Sequence, residues 1–179
     1  MSTAARTFAI LKPDLVAYPQ LANDVLDRIL GSSLRIRRAA RLRIRAVEAE
    51  RLYAEHAGRF YYGRLIRHIC SGPAVLLEMS GSDEQQTAVD PVAEWRRLIG
   101  PSKFLRGFGT AEANGESIRW RTALSDVRNS VHGADSPASV QREAAIFDHE
   151  LQPVDDAQIR RWLRFEAADP PEEPSDHVD

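Results

Sequence analysis

The chain has 179 residues with a formal net charge of −2 at pH 7, and 43% of its residues are hydrophobic and 28% are charged. This composition is ordinary for a folded domain, and no apolar run approaches the roughly 18 residues that a membrane span needs, so we expect no membrane partner. The single cysteine, Cys70, cannot form an internal disulfide. That suits a reducing compartment, and the expected location is the cytoplasm, with a mitochondrial location left open.

The charged residues are unevenly distributed. Arginines crowd residues 28–67 and acids crowd residues 148–179, whereas only Lys12 and Lys103 among the 24 basic residues are lysines. A retained lysine in so arginine-biased a chain indicates a position that needs a compact point charge, which directs attention to Lys12. At 34–44 the arginines alternate with apolar residues, a pattern that favours the solvated outer face of a strand and disfavours a nucleic-acid surface.

Apolar periodicity predicts alternating strands and helices. In the first half of the chain we predict, in order, a buried strand at 7–11, a helix at 21–30, a strand or strand pair at 34–44, helices at 48–56 and around 65–69, and a buried strand at 74–79. In the second half we predict a helix at 92–99, a long irregular loop at 102–129, a helix from 137 to about 145 and a final edge strand at 146–147.

This order predicts an α+β fold of the ferredoxin-like kind, in which helices cover one antiparallel sheet. We expect one domain at 1–150 and a C-terminal extension at 151–179. Within the extension, Trp162 and Leu163 predict a short helix that packs on the domain, and the proline- and acid-rich residues 170–179 predict a disordered tail. Fold alone does not identify the chemistry.

The most informative segment is 129–136, Asn-Ser-Val-His-Gly-Ala-Asp-Ser, which leads into a predicted helix. Ser136 and the proline after it are typical of a helix start, whose free N–H groups favour a nearby anion. Glu143 lies two helical turns further on, where its carboxylate could reach one nitrogen of His132. Such a contact would fix the tautomer of the imidazole and leave its other nitrogen free to attack. We expect Gly133 to allow a tight backbone turn beside the histidine.

Three separated motifs in this order resemble the nucleoside diphosphate kinase family. Residues 129–136 resemble its active-site signature, residues 7–14 (Thr-Phe-Ala-Ile-Leu-Lys-Pro-Asp) resemble its first strand and lysine, and residues 53–72 are similar to its middle portion. Residues 17–19 and 95–101, with the enlarged loop before the histidine, look most like the divergent type-6 branch. The resemblance spans nearly the whole globular part, and it implies the fold of that family.

The resemblance implies a nucleoside diphosphate kinase with a ping-pong mechanism. His132 would carry the phosphoryl group as phosphohistidine, Glu143 would orient its ring, and Tyr53 would be a second hydrogen-bonding partner. Tyr61 would stack on the base. The implied nucleotide-binding residues are Lys12, Tyr61, Arg96, Ser102, Arg119 and Asn129. The implied partners are nucleoside di- and triphosphates, with ATP as donor, and the implied cofactor is Mg²⁺, held through the phosphates without direct protein ligands.

Three residues and one loop depart from the family pattern. Ala134 replaces a serine whose hydroxyl shares the glutamate beside the histidine, Trp120 replaces a glycine, and Asp126 replaces an apolar residue of the base clamp. The loop between Ile99 and Ser117 is longer than usual. In the family this region builds subunit contacts, so we expect no hexamer, although a homo-oligomer stays open.

Two interpretations therefore remain. Retention of the histidine, the lysine and the arginines together favours an active nucleotide kinase. The departures at Ala134, Trp120 and Asp126 favour the alternative, a catalytically weak kinase-like protein that acts as a partner-binding module. On the residues alone, Arg96 also competes with its neighbour Arg97 for a place in the site, and Arg119 competes with the nearby Arg121; the resemblance favours Arg96 and Arg119.

Overall fold

Four strands form one antiparallel sheet in the order β2-β3-β1-β4. They are β1 (Arg6–Leu11), β2 (Leu34–Leu42), β3 (Ala74–Gly81) and β4 (Val131–Gly133). The computed structural model describes residues 5–81, 89–101 and 116–164. The architecture is the expected α+β arrangement of an antiparallel sheet covered by helices.

Eight α-helices accompany the sheet in the described part of the chain. They are α1 (Pro13–Val16), α2 (Pro19–Leu30), α3 (Ala46–Leu52), α4 (Tyr62–Ile69), α5 (Pro91–Ile99), α6 (Ile118–Thr122), α7 (Pro137–Phe147) and α8 (Asp156–Leu163). One turn of 3₁₀ helix, Ala54–His56, follows α3, so the helix predicted at 48–56 is interrupted at Tyr53. None of the described helices combines the length and apolar character that a bilayer crossing requires.

The central strand β1 contributes to a hydrophobic core on each face of the sheet. Because successive side chains of a strand point to opposite faces, Ala9 and Leu11 join one buried cluster, and Phe8 and Ile10 join the other. All four side chains are fully buried. The end of β1 is therefore rigidly held at the point where the chain turns into the Lys12-Pro13-Asp14 segment.

Strand β2 is a single strand, so the alternative of a strand pair at 34–44 is wrong. Its register against β3 shifts between Ile36 and Arg38, and the shift breaks the strict alternation of inward and outward residues. Arg38 does not project into solvent as predicted, because it donates hydrogen bonds to Glu78 at 2.9 Å and to Asp148 at 2.8 Å. The bulge thus turns one of the arginines into a structural partner of a buried carboxylate.

Two predictions for the second half of the chain are wrong. Residues 146–147 are the last residues of α7, and the edge strand is instead β4, which contains His132. The predicted irregular loop at 102–129 contains helix α6, and its residues 102–115 lie outside the described part of the chain. Strand β4 escaped prediction because it has only three residues and depends on pairing with β1, more than a hundred residues away in sequence.

The C-terminal helix α8 packs on the sheet domain. Its residues Ile159 and Leu163 are fully buried and belong to the same cluster as Ala9 and Leu11. An isolated bridge between Ala39 and Gln152, with hydrogen bonds of 2.8 and 3.1 Å, fixes the chain that leads into this helix. The tail predicted at 170–179 lies outside the described residues.

Gly133 in β4 is required by the close approach of Trp95. A Cβ at this position would lie 2.5 Å from the indole Nε1 of Trp95, and that Nε1 donates a hydrogen bond to the His132 carbonyl at 3.2 Å. We predict that Gly133→Ala lowers the free energy of unfolding by about 1–3 kcal/mol because the indole must move. Urea unfolding measures the loss.

Gly63→Ala is the matched control. A Cβ at Gly63, in α4, would meet only the tip of the Arg67 side chain at 3.7 Å. This substitution should leave stability unchanged or raise it by up to about 1 kcal/mol, because alanine has the higher helix propensity. Equal stability of the two variants would contradict the packing argument at Gly133.

Candidate functional site

His132 and Glu143 form a short hydrogen bond between the edge strand and the helix that follows it. His132 Nε2 lies 2.6 Å from Glu143 Oε2, and the two side chains are 17% and 5% exposed. Since a carboxylate oxygen accepts, Nε2 is the protonated nitrogen and the neutral ring keeps the lone pair of Nδ1. The geometry is the one expected from the spacing of the two residues.

Helix α7 places Glu143 through a well-defined start. Ser136 caps the helix by accepting a hydrogen bond from the Ser139 N–H at 3.2 Å, and Pro137 occupies its first turn. The second oxygen of Glu143 accepts from Arg142 at 3.3 Å. Ala134, which stands before this helix, is fully buried in the apolar cluster and offers that carboxylate no hydroxyl.

The tight backbone turn near the histidine is at Ser130, not at Gly133 as we predicted. Ser130 has a φ of 68°, and Gly133 is absent from the described residues with positive φ. Three hydrogen bonds hold Ser130 in this left-handed conformation: its N–H donates to Asp14 at 3.0 Å, its hydroxyl donates to the Thr122 carbonyl at 2.9 Å, and its carbonyl accepts from the Lys12 N–H at 2.9 Å. These hydrogen bonds therefore stabilise a backbone conformation that is unfavourable for a serine on its own.

Lys12 is a buried cation at the end of β1. It is 3% exposed, and its Nζ donates to Asn129 Oδ1 at 2.6 Å. Burial, together with the charge of Arg119, lowers the pKa of Lys12 from 10.5 to about 7, against an opposing effect of Asp14. Its ammonium is therefore close to titration near neutral pH.

Asp14 closes this network below Lys12. Its Oδ1 lies 2.9 Å from His68 Nε2, and both side chains are at most 10% exposed. Although burial alone would raise it, the hydrogen bond and charge of His68 hold the pKa of Asp14 below its usual range. Asp14 thus remains an acceptor for the Ser130 N–H.

Arg119 is the inward-facing arginine of α6, whereas Arg121 is exposed. Arg119 donates to the Gly100 carbonyl at 2.8 Å and to the Val131 carbonyl at 3.1 Å, but its buried Nε has no partner in the described residues. Burial, and next the charge of Arg96, lowers the pKa of Arg119 to about 10. A cation held close to other cations, with an unsatisfied N–H, is suited to receive an anion.

The choice between Arg96 and Arg97 is decided by their surroundings. Arg97 donates two hydrogen bonds to Glu94, at 2.8 and 2.9 Å, on the outer face of α5. Arg96 is also exposed, but its charge acts on Arg119 and on Asp135, beside the histidine segment. Arg96 therefore does not line the cleft, but its charge acts on residues that belong to the site or lie beside it.

Aromatic residues form the opposite wall. The ring of Tyr53 lies edge-on to the His132 imidazole, with 5.9 Å between ring centroids, and no hydrogen bond joins these side chains in the described structure. Burial, with the neighbouring Glu143 carboxylate, raises the pKa of Tyr53, so its hydroxyl stays protonated. The Tyr61 hydroxyl lies 3.3 Å from His56 Nδ1, and its ring meets Phe60 edge-on at 5.2 Å.

These groups surround a cleft of about 630 Å³, which we call the histidine cleft. Six of the predicted site residues line it: Lys12, Tyr53, Tyr61, Arg119, Asn129 and His132. Glu143 lies behind the histidine, Arg96 does not line the cleft, and Ser102 lies outside the described residues. A concave site of this volume suits a ligand of nucleotide size.

Sequence reasoning missed several residues of the wall. Phe60 is 87% exposed and lines the cleft beside Tyr61, and Leu124, 65% exposed, lines it from the other side. Arg64 lies over the Phe60 ring at 5.4 Å. The run of three aromatics at 60–62 was the available signal, but sequence alone cannot tell which ring faces the cleft at the start of a helix.

Comparison with known proteins gives consistent matches. The family model described as "Nucleoside diphosphate kinase" matches residues 5–152. Among curated proteins, human "Nucleoside diphosphate kinase 6" is 36% identical over 160 residues, which cover 89% of this chain and 77% of the human protein. "Nucleoside diphosphate kinase" of Hydrogenovibrio crunogenus is 33% identical over 147 residues, 82% of this chain and 94% of that protein.

Among solved structures, the Aquifex aeolicus nucleoside diphosphate kinase superposes with a TM-score of 0.69 at 26% sequence identity. The superposition covers 84% of this chain and 100% of that one. The family match at residues 5–152 includes all four strands, helices α1–α7 and the segment that carries the histidine.

The low pKa of Lys12 predicts a pH dependence of stability. Between about pH 7 and 10.5 the unfolded chain binds a proton on Lys12 that the folded chain has released, so this residue makes the free energy of unfolding rise with pH across that window. We predict that Lys12→Met reduces the slope of the free energy of unfolding against pH by up to about 1.4 kcal/mol per pH unit. Denaturant unfolding at several pH values across the window measures this slope.

Arg121→Met is the control, because it removes an exposed cation from α6, the helix that carries Arg119. Its slope should equal that of the unsubstituted protein. An unchanged slope in Lys12→Met would show that the lysine titrates at its ordinary pKa and would contradict the burial argument.

Proposed function

Because the chain belongs to the nucleoside diphosphate kinase family, we propose that it transfers the γ-phosphoryl group of a nucleoside triphosphate to a nucleoside diphosphate through phosphohistidine at His132. One observation carries this proposal. The imidazole has one nitrogen bonded to Glu143 and lies in a cleft shared with the buried cations Lys12 and Arg119. This is the arrangement that a nucleophile toward an anionic phosphate requires.

In the first half-reaction the Nδ1 lone pair of His132 attacks the γ-phosphorus. The bond from phosphorus to the oxygen that bridges the β- and γ-phosphates breaks, and the nucleoside diphosphate leaves with that electron pair. The Nε2 proton stays on the ring, where Glu143 stabilises the positive charge that the ring gains. In the second half-reaction a terminal oxygen of another nucleoside diphosphate attacks the same phosphorus, and the imidazole leaves.

Phosphoryl transfer requires positive groups around the moving oxygens more than it requires acid–base chemistry. Lys12 and Arg119 supply them from the floor of the cleft, and Arg96 adds its charge from the side. An arriving phosphate favours the protonated form of Lys12, so binding restores the charge that burial suppresses. The phosphate would also offer an acceptor to the Nε–H of Arg119, which is buried without a partner in the described residues.

The remaining contacts concern the sugar and the base. Asn129, already bonded to Lys12, would share the sugar hydroxyls with it, and Tyr61 would stack on the base. Stacking barely distinguishes one base from another, which suits an enzyme that serves many nucleotides. Asp126 lines the same cleft and would place a carboxylate near the base edge. Ser102 keeps its expected role as a phosphate ligand within this proposal.

Magnesium would enter with the nucleotide. Within residues 5–81, 89–101 and 116–164, no cluster of three or more His, Cys, Asp or Glu side chains could hold a metal ion. An ion bound mainly by phosphate oxygens and water does not need such a cluster. When bound, it would neutralise part of the phosphate charge.

A second candidate function is supported by Ala134. This residue is buried among apolar side chains, and within the described residues Arg142, at 3.3 Å, is the one donor to the second oxygen of Glu143. A looser carboxylate would slow the transfer by about tenfold. In the extreme case the chain would be a weak kinase that serves as a partner-binding module, and the assay below separates the two functions.

We predict a covalent phosphoenzyme. Brief incubation of the protein with γ-labelled ATP and Mg²⁺ should label the chain, and the label should be lost in acid, as expected for phosphohistidine. His132→Ala should abolish the label, because the imidazole that would accept the phosphoryl group, with Glu143 behind it, is then absent. Labelling followed by denaturing gel electrophoresis measures it, and addition of a nucleoside diphosphate should discharge it.

His149→Ala is the matched control, because His149 is 62% exposed and lies outside the histidine cleft. It should be labelled like the original chain. A chain that takes up no label at any time of incubation would exclude the kinase and leave the partner-binding module.

The carboxylate behind the histidine has its own test. We predict that Glu143→Gln lowers the rate of phosphoenzyme formation by about tenfold to a hundredfold, because a neutral amide no longer stabilises the charge on the ring. The exposed Glu55, which pairs with Arg142 rather than with the histidine, provides the control Glu55→Gln. Rapid-quench labelling measures both rates. Equal rates in the two variants would remove Glu143 from the mechanism.

A further inference from the structure

A second cleft adjoins the histidine cleft and has no part in the proposed reaction. It lies between the end of β2, helix α1, the segment before β4 and the end of α8, and its volume is about 460 Å³. Leu124 lines both clefts, so the two are neighbours on one surface. Tyr18, which is 56% exposed, and Trp162 form part of its apolar wall.

Four arginines line this cleft, which we call the arginine cleft: Arg41, Arg43, Arg128 and Arg164. Arg43 donates to the Ser71 carbonyl at 3.3 Å, whereas the other three have no carboxylate partner in the part of the chain that the structure describes. Elsewhere arginines such as Arg97 and Arg160 do pair with carboxylates. Within the described residues, the arginines of this cleft therefore form no ion pair with a carboxylate.

The one acid on the lining does not compensate them. Asp14 is already committed, with Oδ1 bonded to His68 and Oδ2 bonded to the Ser130 N–H. His68 is nearly buried, and its Nε2 is bonded to Asp14. The four arginines therefore give this cleft a net positive charge, which favours an anionic ligand.

Like charges that face a concave surface repel one another, and the low-dielectric walls of a cleft concentrate their field. An anion relieves this repulsion, and a planar guanidinium presents paired N–H donors that match phosphate oxygens. A volume of this size admits a small ligand rather than a folded partner. The apolar wall excludes water from one side of the anion.

We propose that the arginine cleft is a second binding site, for a small molecule with two or more phosphate groups, separate from the histidine cleft. The site is independent of the transfer reaction. It adjoins that reaction's machinery through Asp14, because the carboxylate on its floor also holds Ser130, two residues before His132.

The test uses the full chain and inorganic tripolyphosphate as the probe, titrated calorimetrically. Arg41→Gln combined with Arg128→Gln should weaken binding at this site about tenfold, because charged hydrogen bonds to the phosphates are lost. Arg51→Gln combined with Arg121→Gln makes the same change of charge at exposed arginines outside both clefts and should leave affinity unchanged. Lys12→Gln should also leave this binding event in place.

The proposal is overturned if tripolyphosphate does not bind, if both arginine pairs weaken it equally, or if Lys12→Gln alone removes it. Binding of a single-stranded oligonucleotide but not of tripolyphosphate would also overturn it, since it would indicate a nucleic-acid surface. Circular dichroism confirms that each variant is folded. Phosphoenzyme formation, measured in parallel, should be unchanged in Arg41→Gln/Arg128→Gln, and failure of labelling in the original chain bears only on the kinase proposal.

Discussion

The hydrogen bond between His132 and Glu143 is the interaction on which the site depends. It joins the edge strand β4 to helix α7, and each side is fixed by the rest of the fold. On the strand side, β4 pairs with β1, and Trp95 bonds the histidine carbonyl. On the helix side, the Ser136 cap sets where α7 begins and hence where its second turn places a carboxylate. A shift of either element would break a contact that has only 2.6 Å between its atoms.

A second constraint is electrostatic. Lys12 and Arg119 are both buried, and each contributes to a cleft that holds the cations close together; burial lowers the pKa of each. Buried like charges lower the stability of the protein when no ligand is bound. An anion that binds between them removes this repulsion, which contributes favourably to its binding free energy. The strained backbone at Ser130 also positions this site. Its carbonyl accepts from the Lys12 N–H and its own N–H donates to Asp14, so one residue next to β4 holds both.

The many arginines of the chain have different structural roles. Arg38 is bound by the buried Glu78, Arg97 pairs along its own helix, and Arg119 supports the cleft floor. The arginines gathered at the end of β2, before β4 and beside α8 instead line a second concave surface. Family membership accounts for the histidine cleft, but the second cleft follows from where this chain places its unpaired cations.

The sequence by itself determined those features that local interactions encode. The spacing of apolar residues predicted β1, α5 and β3, and the Ser136-Pro137 cap predicted α7. The resemblance of three ordered motifs to one family pointed to His132 and Lys12, and the spacing from the helix start pointed to Glu143. The short distance from His132 to Glu143 along one strand and helix made their contact predictable as well.

Only the tertiary structure decided what depends on distant pairing. Strand β4 has too few residues for a pattern and exists because β1 supplies its partner. The bulge in β2 redirects Arg38, and the packing around Arg119 selects it over Arg121. The arginine cleft likewise combines stretches far apart in sequence, so no local pattern could reveal it. Contacts between remote residues are set by the packing of the whole chain, which periodicity and spacing do not report.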